Sequence, residues 1–177
     1  MKPCALCRIE TADDDLFAVS GLDFCSKCRN SDPTDELAAR DIACEWDTRM
    51  ARFSAGLGIA DQDPDFYLKC TPELWFHKVR KVVSEDFEVG DASFDDQIWV
   101  QTSKPAVAGE VLANEGVRRA LLTLLTHVRV NELVGNHVTL KGPTLLISMR
   151  PLGGLSEDKI LQLKMQATAL ALHLRYR

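Results

Sequence analysis

Residues 127–149 read HVRVNELVGNHVTLKGPTLLISM, and the fold class turns on them. Three short apolar runs, 127–133, 137–141 and 144–149, are separated by Gly135-Asn136 and Gly142-Pro143. Val, Ile, Leu and Thr in runs of five to seven suit a pleated, half-buried surface, and Gly-containing breaks reverse the chain. Three consecutive antiparallel strands are therefore expected. Directly downstream, Ser156 is placed to cap a helix running to 174, with Glu157 and Asp158 in its first turn. Upstream, 98–102 and 66–70 read as strands. Residues 104–112 and 117–125 read as helices, and a helix-like segment starts at Thr71-Pro72-Glu73 and carries Leu74, Trp75, Phe76, Val79, Val82 and Val83. Helices and strands are interspersed, and the neighbouring strands look antiparallel. The expected class is α+β, with a mainly antiparallel sheet and a C-terminal helix.

The final helix carries two apolar stripes. Ile160, Leu163, Ala167, Leu170 and Leu174 form one, and Leu161, Met165, Ala169 and Leu172 form the other. A helix apolar on two faces must bury both. Either the chain sandwiches the helix itself, or one face meets a protein partner or a second copy of the chain.

Towards the front, Asp32 can cap and Pro33 suits a first helical position. Ala39, Ile42, Trp46, Met50 and Phe53 recur at helical spacing. This predicts a bridging helix over 32–54, ahead of a loop at 54–65 that divides the chain. The expected organisation is a module at 1–31, the bridge at 32–54, and an α+β interaction domain at 65–177.

The module is defined by cysteine. Cys4-Ala5-Leu6-Cys7 and Cys25-Ser26-Lys27-Cys28 are two pairs separated by seventeen residues. A two-residue spacer lets one tight turn aim both sulfurs at one ion, and two such turns complete a tetrahedral thiolate cage. The spacer predicts a strand at 9–11, a polar turn at Asp13-Asp14-Asp15, a second strand at 16–19, and a turn at Gly21-Leu22-Asp23. The hairpin so formed would bring the two knuckles together. Thirty residues with few large apolar side chains cannot stabilise a core alone. One structural zinc on Cys4, Cys7, Cys25 and Cys28 would supply the missing free energy, on the order of 10 kcal/mol. A closed site leaves no coordination position for catalysis. Two disulfides would need an oxidising compartment, and a redox Cys-x-x-Cys usually occurs singly. Cys44 and Cys70, flanked by core-like residues, read as buried free thiols.

The two-seventeen-two spacing resembles that of GATA-type zinc fingers, and the resemblance implies a shared zinc topology with ligands at Cys4, Cys7, Cys25 and Cys28. In those fingers the following helix brings basic residues to DNA. Here it reads Arg29-Asn30-Ser31-Asp32-Pro33-Thr34-Asp35-Glu36, with one basic residue and three carboxylates. The DNA-reading function does not carry over. Phe87-Glu88-Val89-Gly90-Asp91-Ala92-Ser93-Phe94-Asp95-Asp96, then Ile98-Trp99-Val100, Ser103-Lys104-Pro105 and Val117-Arg118-Arg119-Ala120-Leu121-Leu122, resemble an uncharacterised bacterial domain over roughly 66–142. That resemblance implies a compact α+β domain and brings no activity with it.

Charge separates the halves. Residues 1–100 hold 11 Lys and Arg against 21 Asp and Glu, a net of −10; residues 101–177 hold 10 against 5, a net of +5. The acidic front disfavours a phosphate backbone. No apolar run is long enough to cross a membrane, and no signal segment is visible, so a cytoplasmic location is expected.

The acidic run Asp86, Glu88, Asp91, Asp95 and Asp96 raises a hard-cation site for phosphoryl chemistry. The alternation with Phe87, Val89 and Phe94 equally suits carboxylates in water-facing turns. The four histidines, His77, His127, His137 and His173, are scattered and form no zinc-hydrolase pattern. The function expected is a non-catalytic zinc protein for protein interaction or scaffolding. The alternatives are a regulatory nucleic-acid-binding zinc finger and, behind it, an enzyme using the 86–96 carboxylates.

Overall fold

The computed structural model describes residues 1–47, 51–57, 63–72, 87–126, 136–149 and 156–176. The body is an antiparallel sheet of six strands: β5 (Ala43–Asp47), β6 (Arg52–Gly56), β7 (Tyr67–Pro72), β8 (Ile98–Thr102), β9 (His137–Lys141) and β10 (Thr144–Ser148). Their order is β5-β6-β10-β9-β7-β8. The expected α+β class and the mainly antiparallel sheet are what the chain forms. The β9–β10 turn falls at Gly142-Pro143, as read, with Thr144 opposite Lys141. The strand expected at 127–133 and the helix-like segment expected over 73–83 lie outside the described residues.

One face of the sheet is apolar. Phe53, Ala55, Leu68, Cys70, Ile98, Val100, Val138, Leu140, Leu145 and Ile147 are all buried there. Alternation along each strand puts these on one side. Three helices join the same core: α4 (Pro105–Ala113), α5 (Glu115–Thr126) and α6 (Glu157–Arg175). Ser156 caps α6 by accepting from the N–H of Lys159 at 3.4 Å. A short α3 (Ala92–Asp95) precedes β8 and is capped by Asp91.

The bridging helix over 32–54 does not form. Among the described residues of that range only α2 (Thr34–Ala38) is helical, and the chain then enters β5 and β6. Asp41 (φ 58°) and Ala51 (φ 45°) adopt left-handed backbone that no continuous helix contains. The same residues also alternate with a period of two: Ile42, Cys44 and Trp46, then Phe53, Ala55 and Leu57. Pairing realises that second period. Trp46 lies opposite Phe53, with ring centroids 4.3 Å apart. Aromatic cross-strand pairs contribute up to about 1 kcal/mol. The sheet therefore includes residues on both sides of the expected division at 54–65.

Both stripes of α6 are covered within the chain over its second half. Ala167, Leu170 and Leu174 on one stripe, and Met165, Ala169 and Leu172 on the other, are each at most 4% exposed. Ile160, Leu161 and Leu163, in the first two turns, are only half-buried. The sheet takes one stripe, and the cysteine module lies along part of the other.

Candidate metal centre

The module begins with β1 (Lys2–Pro3) and β2 (Glu10–Thr11), which pair across the first knuckle. Asp13–Asp15 form one 3-10 turn. β3 (Leu16–Val19) then pairs with β4 (Leu22–Cys25), which leads into α1 (Ser26–Asn30). The expected strands at 9–11 and 16–19 are present, but they do not pair with each other. Each belongs to its own hairpin. Ser20 (φ 49°) and Gly21 (φ 85°) are the two central residues of the β3–β4 turn. Positive φ at both is the type I′ geometry that matches strand twist. Knuckle, hairpin, then a helix bearing the last ligand pair is a treble-clef-like order.

The four Sγ atoms of Cys4, Cys7, Cys25 and Cys28 lie within 4.8 Å of one another. The Cys7 and Cys25 sulfurs are 3.8 Å apart. A regular tetrahedron with metal–sulfur bonds of about 2.3 Å has sulfur–sulfur edges of about 3.8 Å. Backbone donors converge on the sulfurs as well. The N–H of Cys25 reaches Cys4 Sγ at 3.3 Å, and the N–H of Cys28 reaches Cys25 Sγ at 3.5 Å. Cys25 is also the N-cap of α1, so its sulfur sits at the positive end of that helix. The donor set therefore fits a thiolate-binding metal ion, held by these four residues.

The thiols of Cys4, Cys7 and Cys28 do not respond alike to their shared site. Burial works against ionising Cys4, but N–H donors from Cys25, Cys7 and Leu6 outweigh it and bring the thiol down to about 7. Burial raises Cys7 and strongly raises Cys28, whose neighbouring sulfurs push it the same way. Four thiolates this close repel one another, and a divalent cation at their centre removes that repulsion. Elsewhere, burial pushes Cys70 up to about 12 and raises Cys44 as well. Both are free thiols away from the cluster.

Several contacts that the sequence did not signal fasten this centre to the body. Arg40, just beyond α2, donates from Nε (2.9 Å) and Nη2 (2.7 Å) to the carbonyl of Leu6 inside the first knuckle. Its Nη1 lies 3.4 Å from the hydroxyl of Tyr176 at the end of α6. Lys164 of α6 pairs with Asp32 at 2.8 Å, and Arg175 with Asp41 at 3.6 Å. At the tip of the β3–β4 hairpin, His173 Nε2 meets the Ser20 carbonyl at 2.8 Å. Ser20 Oγ donates to Gln166 Oε1 at 2.6 Å. Gly116 makes this docking possible, because a Cβ there would lie 2.1–2.6 Å from the ring atoms of His173. A glycine inside a helix is the local feature in the sequence that accompanies such a close approach, and it names no partner by itself.

The acidic run is used differently. Asp91 accepts from the Ser93 N–H (3.1 Å) and hydroxyl (2.6 Å) and from Arg118 Nε (3.0 Å). Asp95 accepts from the N–H groups of Val89 (3.0 Å) and Gly90 (2.8 Å). These carboxylates close a turn and hold it to α5. Among the described residues only the four cysteines gather as a metal-binding group. Asp86, His77 and His127 lie outside those residues, and His137 stands on β9, apart from His173 on α6. No helix among the described residues is long and apolar enough to cross a membrane. No protein-family model, curated protein or solved structure matches the chain, so the resemblances to GATA-type fingers and to the bacterial domain gain no support from kinship.

Proposed function

We propose that the chain is a non-catalytic zinc protein. One structural Zn²⁺ on Cys4, Cys7, Cys25 and Cys28 holds a small module against an α+β body, and the joined surface serves protein interaction or scaffolding. The observation that carries this reading is the closed set of four convergent sulfurs, three of them buried, tied to α6 through Ser20, Arg40 and Asp32. Four thiolates satisfy a tetrahedral ion completely, so the ion's contribution is conformational. Ligand softness supports zinc over hard cations such as Mg²⁺ or Ca²⁺, since the donor set is all thiolate.

Elemental analysis of the purified full chain should give about one zinc per chain, and Cys25→Ser should abolish it. Metal-free soluble protein, or disulfides among these cysteines in a freshly reduced preparation, overturns the assignment. The nucleic-acid alternative makes the opposite demand on charge. Asp13, Asp14 and Asp15 within the module, and Asp35 and Glu36 in α2, repel phosphate. The full chain should show no submicromolar, salt-sensitive binding to mixed-sequence DNA or RNA at physiological salt. Such binding would replace the interaction reading with the nucleic-acid one.

A further inference from the structure

The groove between β3 and the first turns of α6 is the part of the surface whose backbone and side chains together specify an occupant. We infer that it binds an extended segment of a partner protein, which adds as a third strand to the outer edge of β3; this rests on the interaction reading above. The Ser20-Gly21 turn fixes the hydrogen-bonding register. In a two-residue hairpin the closing pair, Val19 and Leu22, exchanges hydrogen bonds, and bonded pairs alternate. Phe17 and Phe24 are then the next bonded pair, while Leu16, Ala18, Asp23 and Cys25 turn their backbone groups outwards. The β4 side bears this out. The Asp23 carbonyl accepts from the Ala5 N–H at 2.6 Å, and the Cys25 N–H points to Cys4 Sγ.

The outer edge of β4 is thus taken by the first knuckle. On β3 the Leu16 N–H is used by the Asp13 carbonyl, and the Ser20 carbonyl by His173. Between them, the N–H and carbonyl of Ala18 have no hydrogen-bond partner among the described residues, and Ala18 is exposed. An unpaired strand edge of this kind is a template for strand addition.

What lies beside that edge gives the segment its chemistry. The groove has a volume of about 530 Å³. Leu161 of α6 and Phe17 of β3, both half-buried, offer apolar contact, and the exposed Gln162 lies alongside; Met165 forms the buried floor between them. Arg29 stands over the Phe17 ring at 4.3 Å and Asp158 also lines the groove. The matching segment is short and extended. It places an apolar side chain against Leu161 and Phe17, an acidic side chain towards Arg29, and a basic one towards Asp158. The half-buried first turns of α6 are the same turns that line this groove.

A random-sequence peptide library selected on the zinc-loaded full chain tests this, with affinities of the resynthesised binders read by fluorescence anisotropy. The expected binders share an apolar residue flanked by an acidic one. Leu161→Glu, and N-methylation of the peptide bond that pairs with Ala18, should each weaken them by at least about tenfold. Arg29→Glu, at an exposed position, should weaken them similarly, and changing the peptide's acidic residue to Lys should restore binding. Arg29→Glu carries the test if Leu161→Glu lowers the yield of folded protein. Absence of binders, or binders indifferent to both substitutions, overturns the groove assignment and leaves the zinc reading to its own measurement. Zinc-free protein overturns the function proposed above whatever the peptides do.

Discussion

Gly116 lies in the first turn of α5, directly beneath the ring of His173. Replacing an exposed helical glycine with alanine ordinarily stabilises a helix by up to about 1 kcal/mol. Here the added carbon would lie 2.1–2.6 Å from three ring atoms, so either the ring or the helix must move. Displacing the ring also releases the Ser20 carbonyl, which then loses its partner. Gly116→Ala should therefore destabilise the chain by about 2 kcal/mol, against less than about 0.5 kcal/mol for the exposed neighbour Glu115→Ala. Urea unfolding of the two variants measures the difference. The double variant Gly116→Ala with His173→Ala should cost less than the sum of its parts, because the first change clashes with what the second removes. Additive costs would mean that the ring is not what Gly116 accommodates.

At the scale of elements, α6 decides how its two stripes behave under substitution. Leu170 and Leu172 belong to opposite stripes, yet both are at most 3% exposed. Leu170→Glu and Leu172→Glu should both yield insoluble protein, since an unpaired carboxylate in an apolar site costs several kcal/mol. Leu161→Glu, in the half-buried second turn, should give soluble protein with a native unfolding profile. The division runs along the helix and not around it. Light scattering and solubility would show this, and a split by stripe would contradict the burial described above. The elements most legible in the sequence were those with a cap and one dominant period: α6 behind Ser156, β9 and β10 around Gly142-Pro143, and β8. The region 39–57 misled because Ile42, Trp46 and Phe53 fit a helical period and a strand period at once. Only the cross-sheet partners of β6 decide between them. The cysteine cluster was legible because its spacing is local. Arg40, Ser20 and His173 were not, because the contacts that give them meaning span tens to more than a hundred residues of sequence. The notch at Gly116 reveals the close approach only once α6 is in place.

For the whole molecule, the cysteine module and the sheet share one continuous core. Cys4, Leu6, Phe24, Cys28 and Leu37 pack in the same buried cluster as the sheet residues and α6. A free-standing zinc module would lose its fold on chelation and leave the rest unchanged. A module sharing core with α6 must also change the helix it covers. Met165, Gln166 and His173 face the hairpin or the groove beside it, whereas Leu170 and Leu174 share the core with the strands. Removing the metal with a chelator should raise amide hydrogen exchange first over residues 1–38, then over the first half of α6. Strands β7 to β10, which are hydrogen-bonded to one another, should keep their protection longest. The expected energetic scale is large, since structural zinc in small modules contributes on the order of 10 kcal/mol to the segment that binds it. Exchange that rises uniformly over the chain would make the metal centre part of one cooperative unit. Exchange confined to residues 1–30 would show that the ties from Ser20, Arg40 and Asp32 to α6 carry little energy, and that the module is only tethered to the body it touches.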